Sequence, residues 1–167
     1  MDFWGVPLGS NDVNATMQNE VQVFLTYIPK NNAMISFENL ATAYDLYLRD
    51  DYGSIILPCS TSVEYALKMF INVALSKAQL PTNHNISMRV LLEVISPLVA
   101  QVLSIPFLEK RIIGEVVKLW SFRNQMAHNG FLKNDLKINE AAPLLAASMF
   151  TVNYLTHYSQ VIMTVDN

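Results

Sequence analysis

The chain has 167 residues and a mass of 18.8 kDa, enough for one domain with a buried core. Charged residues make up 15%, against about 25% in an average soluble domain, hydrophobic residues reach 51%, and mean hydropathy is +0.24; together these exclude intrinsic disorder. The single cysteine, Cys59, excludes a disulfide framework and Cys-rich zinc sites, and a net charge of −3 argues against a generic nucleic-acid coat protein.

Residues 1–35 read as an N-terminal extension, or as the end of a preceding region, and 36–167 as a helical domain. In the extension, Val21, Val23, Leu25 and Tyr27 alternate with other residues and end at Pro29, the pattern of one short strand. No basic cluster precedes an apolar run at the N-terminus, so no export signal is read there, and one cysteine places the chain in a reducing cytoplasm.

From Ser36 the pattern is helical. Ser36 is the expected N-cap of a helix with Phe37, Leu40, Tyr44 and Tyr47 on one face. Thr61 and Glu64 form a capping box before Val63, Ala66, Leu67, Phe70, Ile71, Ala74 and Ala78 at helical spacing. Residues 87–96 predict a further helix, and Pro97 either kinks it or starts another. Ser104 and Pro106 mark the start of a long helix running to His128, with Asn129 and Gly130 as its stop. A last helix spans about 140–163, with Pro143 in its first turn.

Residues 141–165 carry no Asp, Glu, Lys or Arg, a length that would span a bilayer. Asn153, Thr156, His157, Ser159 and Gln160 would then lie in hydrocarbon without partners, so a buried amphipathic helix is expected and no membrane contact. The low charge content implies covered surfaces. The 141–165 helix and the seam around Ile112, Val116 and Trp120 are where a second subunit is expected.

Charge is uneven along the chain. Residues 1–60 hold seven acids and two bases, whereas 109–137 hold six bases and three acids. Within that basic stretch, Arg123 falls in the middle of an apolar stripe made by Ile112, Val116, Leu119, Trp120, Met126 and Ala127, all within about 60° of it on a helical wheel. A cation in an apolar seam costs several kcal/mol unless it is paired or lines a cleft. His128 lies five residues on, about 140° around the helix and about 7.5 Å along it, so the two share no face of an undistorted helix; an opened helix end or a two-fold partner could bring them together. Imidazole suits proton transfer near neutral pH.

The run from Ser121 to Gly130, with Arg123, Asn124 and His128 and four residues between the arginine and the histidine, resembles the signature of HEPN domains. The helix carrying Glu64, Leu67 and Lys68 is similar to the one that precedes the motif helix in that family, and the likeness covers about residues 36–163. The resemblance implies an all-α up-and-down bundle that forms homodimers, with the motif helices meeting in a composite cleft. It implies a metal-independent endoribonuclease of a toxin or anti-phage defence type, with RNA as substrate and an antitoxin or a larger parent protein as partner. Arg123 and His128 would be catalytic, Asn124 would orient a phosphate or the histidine, and the products would carry 2′,3′-cyclic phosphate and 5′-hydroxyl ends. Lys118, Lys133 and Lys137 are candidates for RNA backbone contacts. The alternative is a non-catalytic helical module of the same kind that binds a partner protein or a nucleotide.

Elsewhere the residues are plain. No spacing of His, Cys, Asp and Glu resembles a metal site, and no glycine loop or nucleophile elbow is present, so no cofactor is expected. Cys59 reads as a buried apolar residue, His84 as solvated and His157 as a bundle or interface residue.

Overall fold

A computed structural model describes residues 34–80, 86–130, 132 and 135–164. The described residues form five helices and no strand: α1 (Met34–Leu48), α2 (Ile56–Lys77), α3 (88–102), α4 (Lys110–Asn129) and α5 (Ile138–Thr164). The fold is all-α. The strand expected at 21–27 and the expected extension up to residue 33 lie outside the described residues, and Met34 and Ile35 belong to α1.

Helices α2, α4 and α5 pack on one another in all three pairings, and α3 leans on α2. The core is the apolar stripe that the spacing of α2 predicts. Val63, Ala66, Leu67 and Phe70 are fully buried, and they meet Leu144, Val152 and Leu155 of α5 in the same interior. Ala74 is half-buried, and Ala78 is exposed beyond the helix end. Helix α1 buries Phe37, Leu40, Ala43 and Tyr44, and is tied to α2 where the Ser62 hydroxyl donates to the Ser36 carbonyl.

Helix starts differ from expectation more than helix ends do. Ser36 is not an N-cap: α1 already runs from Met34, and Ser36 is buried inside it. Thr61 and Glu64 do not open α2, which begins five residues earlier at Ile56. Burial of Ile55, Ile56 and Cys59 carries the helix back past Pro58. The proline is tolerated because first-turn N–H groups have no helical acceptor. Ser104 and Pro106 do not start α4, which begins at Lys110. Ser104 instead closes α3, with φ of 54°. Its N–H donates to the Gln101 carbonyl at 3.1 Å, and that of Ile105 to the Ala100 carbonyl at 3.0 Å, the Schellman pattern. Asp50 (φ 60°) and Gln79 (φ 54°) close α1 and α2 in the same way.

Pro97 neither ends α3 nor starts a new helix. Leu91–Ile95 form a π turn, and the chain continues as α-helix over Ser96–Val102. Proline lacks an N–H, and its ring crowds the carbonyl four residues back. The wider turn relieves this, with both the N–H and the hydroxyl of Ser96 donating to the Leu91 carbonyl. Ser87 caps the start, accepting from the Val90 N–H at 3.3 Å.

Helix α5 buries eleven of its 27 residues, four of them Ser or Thr. The Ser148 and Ser159 hydroxyls donate to carbonyls four residues back, at 2.7 and 2.6 Å, which satisfies their protons on their own helix. Pro143 lies in the second turn, because α5 starts at Ile138. Among the described residues, no helix is long and apolar enough to cross a membrane.

Part of the surface expected to meet a second subunit is buried within one chain, while Ile112 is half-buried and Ile138, Phe150 and Met163 of α5 are exposed. Val116 is 0% and Trp120 7% exposed, and the uncharged helix sits on α2 and α4. The apolar side chains left outside include Val90, Val94, Leu98 and Val102, a row along α3.

Candidate functional site at the end of helix α4

Helix α4 is set by one narrow seam. Val116, Leu119 and Trp120 are buried against α2 and α5. The next positions along that seam emerge progressively: Arg123 and Met126 are half-buried and Ala127 is exposed. The last turn of α4 thus runs out past the core, and Arg123 stands at the rim. Gly130 stops the helix in the left-handed region at φ 77°, its N–H donating to the Met126 carbonyl at 2.8 Å.

Arg123 has no carboxylate partner among the described residues. Its Nη1 donates only to Asn124 Oδ1, at 3.4 Å. The arginines of other helices behave differently. Arg49 pairs with Asp45 at 2.8 Å and Arg89 with Glu93 at 2.6 Å, each within one helical turn. A guanidinium that is half out of water and unpaired keeps its donors for a ligand.

His128 is exposed in the last turn of α4. It does not share a face with Arg123, as the spacing implies. The chain therefore brings Arg123 and Asn124 together and leaves His128 on the other side of the helix. Asn124 is exposed. Lys118 is half-buried, with Nζ 5.7 Å from the centroid of the Phe122 ring. Lys137 is exposed at the entrance to α5, where its backbone N–H donates to Glu140 Oε2 at 3.4 Å. Lys133 lies outside the described residues, as does His84.

Other candidates fall away on geometry. Cys59 is fully buried, and burial pushes its thiol up to about 12, which outweighs the opposing hydrogen bond with Ser148 and makes it no nucleophile. His157 is exposed, its ring edge-on to Tyr158 with centroids 5.0 Å apart. Tyr154 donates to the Pro106 carbonyl and packs on Phe107 and Tyr158; burial pushes its phenol up to about 12, so it acts as a clasp between α5 and the loop before α4. Trp120 is buried, so its ring packs in the core and offers no face to a base. No three His, Cys, Asp or Glu side chains are gathered as a metal site among the described residues.

Two residues near the site escaped the sequence reading. Glu115 is spaced to pair with Arg111 and Lys118 on either side of it in α4, yet bonds neither, and its Oε2 is buried without a partner. Arg111 is exposed and unpaired as a result. Its spacing of seven from Lys118 was the signal available.

No family model, no curated protein and no solved structure matches the chain.

Proposed function

We propose that this protein is a metal-independent endoribonuclease of the HEPN type, acting as a homodimer whose two α4 ends form one cleft. The observation that carries the reading is Arg123: a half-buried guanidinium at the rim of an apolar seam, with no carboxylate beside it. Such a cation is suited to a phosphate whose charge grows in the transition state. In the reaction, the ribose 2′-oxygen bonds to the adjacent phosphorus and the bond from phosphorus to the 5′-oxygen breaks. One His128 takes the 2′-hydroxyl proton and the partner subunit's His128 gives a proton to the departing 5′-oxygen. Arg123 holds the phosphate oxygens and Asn124 orients them. Lys118, Lys133 and Lys137 are the proposed contacts to the rest of the RNA backbone. A second copy is required because one chain holds Arg123 and His128 on different faces of α4. The setting is a cytoplasmic defence or toxin system, with an antitoxin or a larger parent protein in control.

The test is cleavage of RNA in excess chelator by wild type, His128→Ala and Arg123→Ala. Loss of about 10²–10⁴-fold is expected for the histidine variant and about 10²–10³-fold for the arginine variant, with cyclic phosphate ends on the wild-type products. Wild type that cuts no RNA, or variants that cut as well as wild type, would sink the reading.

A second reading is favoured by the same separation of Arg123 and His128. A non-catalytic helical module that binds a partner protein or a nucleotide needs no shared face. It predicts a monomer that cuts nothing, measured by sedimentation alongside the cleavage assay.

A further inference from the structure

We infer that the outward face of α4 is a track for the phosphate backbone of single-stranded RNA, formed by Lys110, Arg111 and Lys118 around the open backbone at Gly114. The inference rests on the ribonuclease reading and names a surface along which its substrate reaches His128, on the side of α4 away from the same chain's Arg123.

Three observations meet on this face. The first is its composition. At about 100° per residue, Lys110, Arg111, Gly114, Lys118, Ser121, Gln125 and His128 all fall within an arc of about 100°, and no acid falls in it. Lys110 and Arg111 are exposed, and Lys118 is half-buried. The row leads to His128, about 15 Å beyond Lys118 along the axis.

The second is that these cations are bare. Among the described residues, none of the three has an ion-pair partner, whereas Arg49 and Arg89 each have one in their own helix. The acid placed to neutralise them, Glu115, has one carboxylate oxygen buried instead. A bare cation keeps its full attraction for phosphate, and binding it releases the counterions condensed on the nucleic acid.

The third is Gly114. A glycine inside a helix is destabilising relative to alanine, and here a Cβ would meet nothing within 4 Å. Packing therefore does not require the glycine. It lies one turn from Lys110 and one turn from Lys118, on the line between them. Without a Cβ the helix backbone is open there, and a phosphate can come close while both lysines reach it.

The experiment measures binding of a labelled single-stranded RNA by fluorescence anisotropy across a salt series, using the full chain with His128→Ala to prevent cleavage. Each phosphate contact contributes about −0.7 to the slope of log K against log salt for a single strand. Arg111→Gln and Lys118→Gln should each flatten the slope by about that amount, and the triple variant with Lys110→Gln by about 2. Arg49→Gln, just past the end of α1, and Lys68→Gln, on α2, should leave it unchanged. Gly114→Ala is the sharper probe. It should raise the unfolding midpoint and weaken RNA binding several-fold, a pair of changes that a purely structural glycine would not give. The track is overturned if the triple variant keeps the affinity and slope, if the control variants flatten the slope equally, if Gly114→Ala leaves binding intact, or if the protein binds no RNA. Its failure is separable from that of the ribonuclease reading. Wild type that binds RNA through these residues without cutting it overturns only the latter. Wild type that cuts RNA, with the triple variant cutting equally well at every salt concentration, overturns only the track.

Discussion

Helices α4 and α5 lie against each other and are built on opposite terms. In α5, 27 residues carry one charged side chain, Glu140, and eleven are buried. In α4, 20 residues carry four cations and Glu115, and only three residues are buried. The contrast separates two tasks. A helix buried on several sides must close its own polar groups, as Ser148 and Ser159 do on their own backbone. A helix held by a three-residue seam leaves most of its surface free, and there an unpaired cation costs little because water solvates it. One helix holds the fold and the other displays chemistry.

The strongest way to break this contrast is to cut into each helix and compare stability. Leu144→Ala or Leu155→Ala, both at fully buried sites, should lower the free energy of unfolding by about 2–5 kcal/mol. Lys110→Gln and Arg111→Gln should change it by less than about 0.5 kcal/mol. Denaturant titration checks both, and equal effects in the two helices would end the comparison. A smaller effect is expected at the helix ends. Gly130→Ala meets no atom but forces a Cβ into the left-handed region, and should cost about 1–2 kcal/mol. Ser104→Gly, at φ 54°, should move the other way, with a gain of under about 1 kcal/mol because glycine also frees the unfolded chain. Thermal unfolding of the pair reads the sign directly. The smallest change sharpens the view of α5. The Thr151 hydroxyl is buried without a hydrogen-bond partner, so Thr151→Val should stabilise by about 1 kcal/mol; a loss of stability would mean that the hydroxyl is satisfied after all.

Sequence pattern was most legible where a local signal and burial agree. The α2 stripe from Val63 to Ile71, the stop at Asn129 and Gly130, and the span of α5 to within a few residues are all of this kind. Helix starts were less legible because burial overrode local caps. Thr61 and Glu64 have capping-box spacing, but Ile55, Ile56 and Cys59 are fully buried and extend α2 past them. Pro106 has the look of a first-turn proline, yet Tyr154 takes its carbonyl and the following segment stays extended up to Lys110. At the candidate site, the odd position of Arg123 could be read from periodicity alone. Its lack of an acid partner could not, because that depends on which carboxylates other helices bring near. The same holds for Glu115, whose spacing promises ion pairs that do not form. Low charge content alone could not say which surfaces the chain itself covers: Val116 and Trp120 are buried, while Phe150 and Met163 are exposed.

The pairing of α2 with α5 has a consequence for how the protein is made. Val63 and Leu155 belong to one interior, and the Lys77 ammonium donates to the Ile162 carbonyl across 85 residues of chain. A ribosome must therefore complete the last helix before the first long one can bury its apolar side, and until then the nascent chain depends on slow, long-range closure. The seam that fixes α4 also needs α5. On the proposed reading, an RNA-cutting site of this design stays unassembled until α5 has been synthesised.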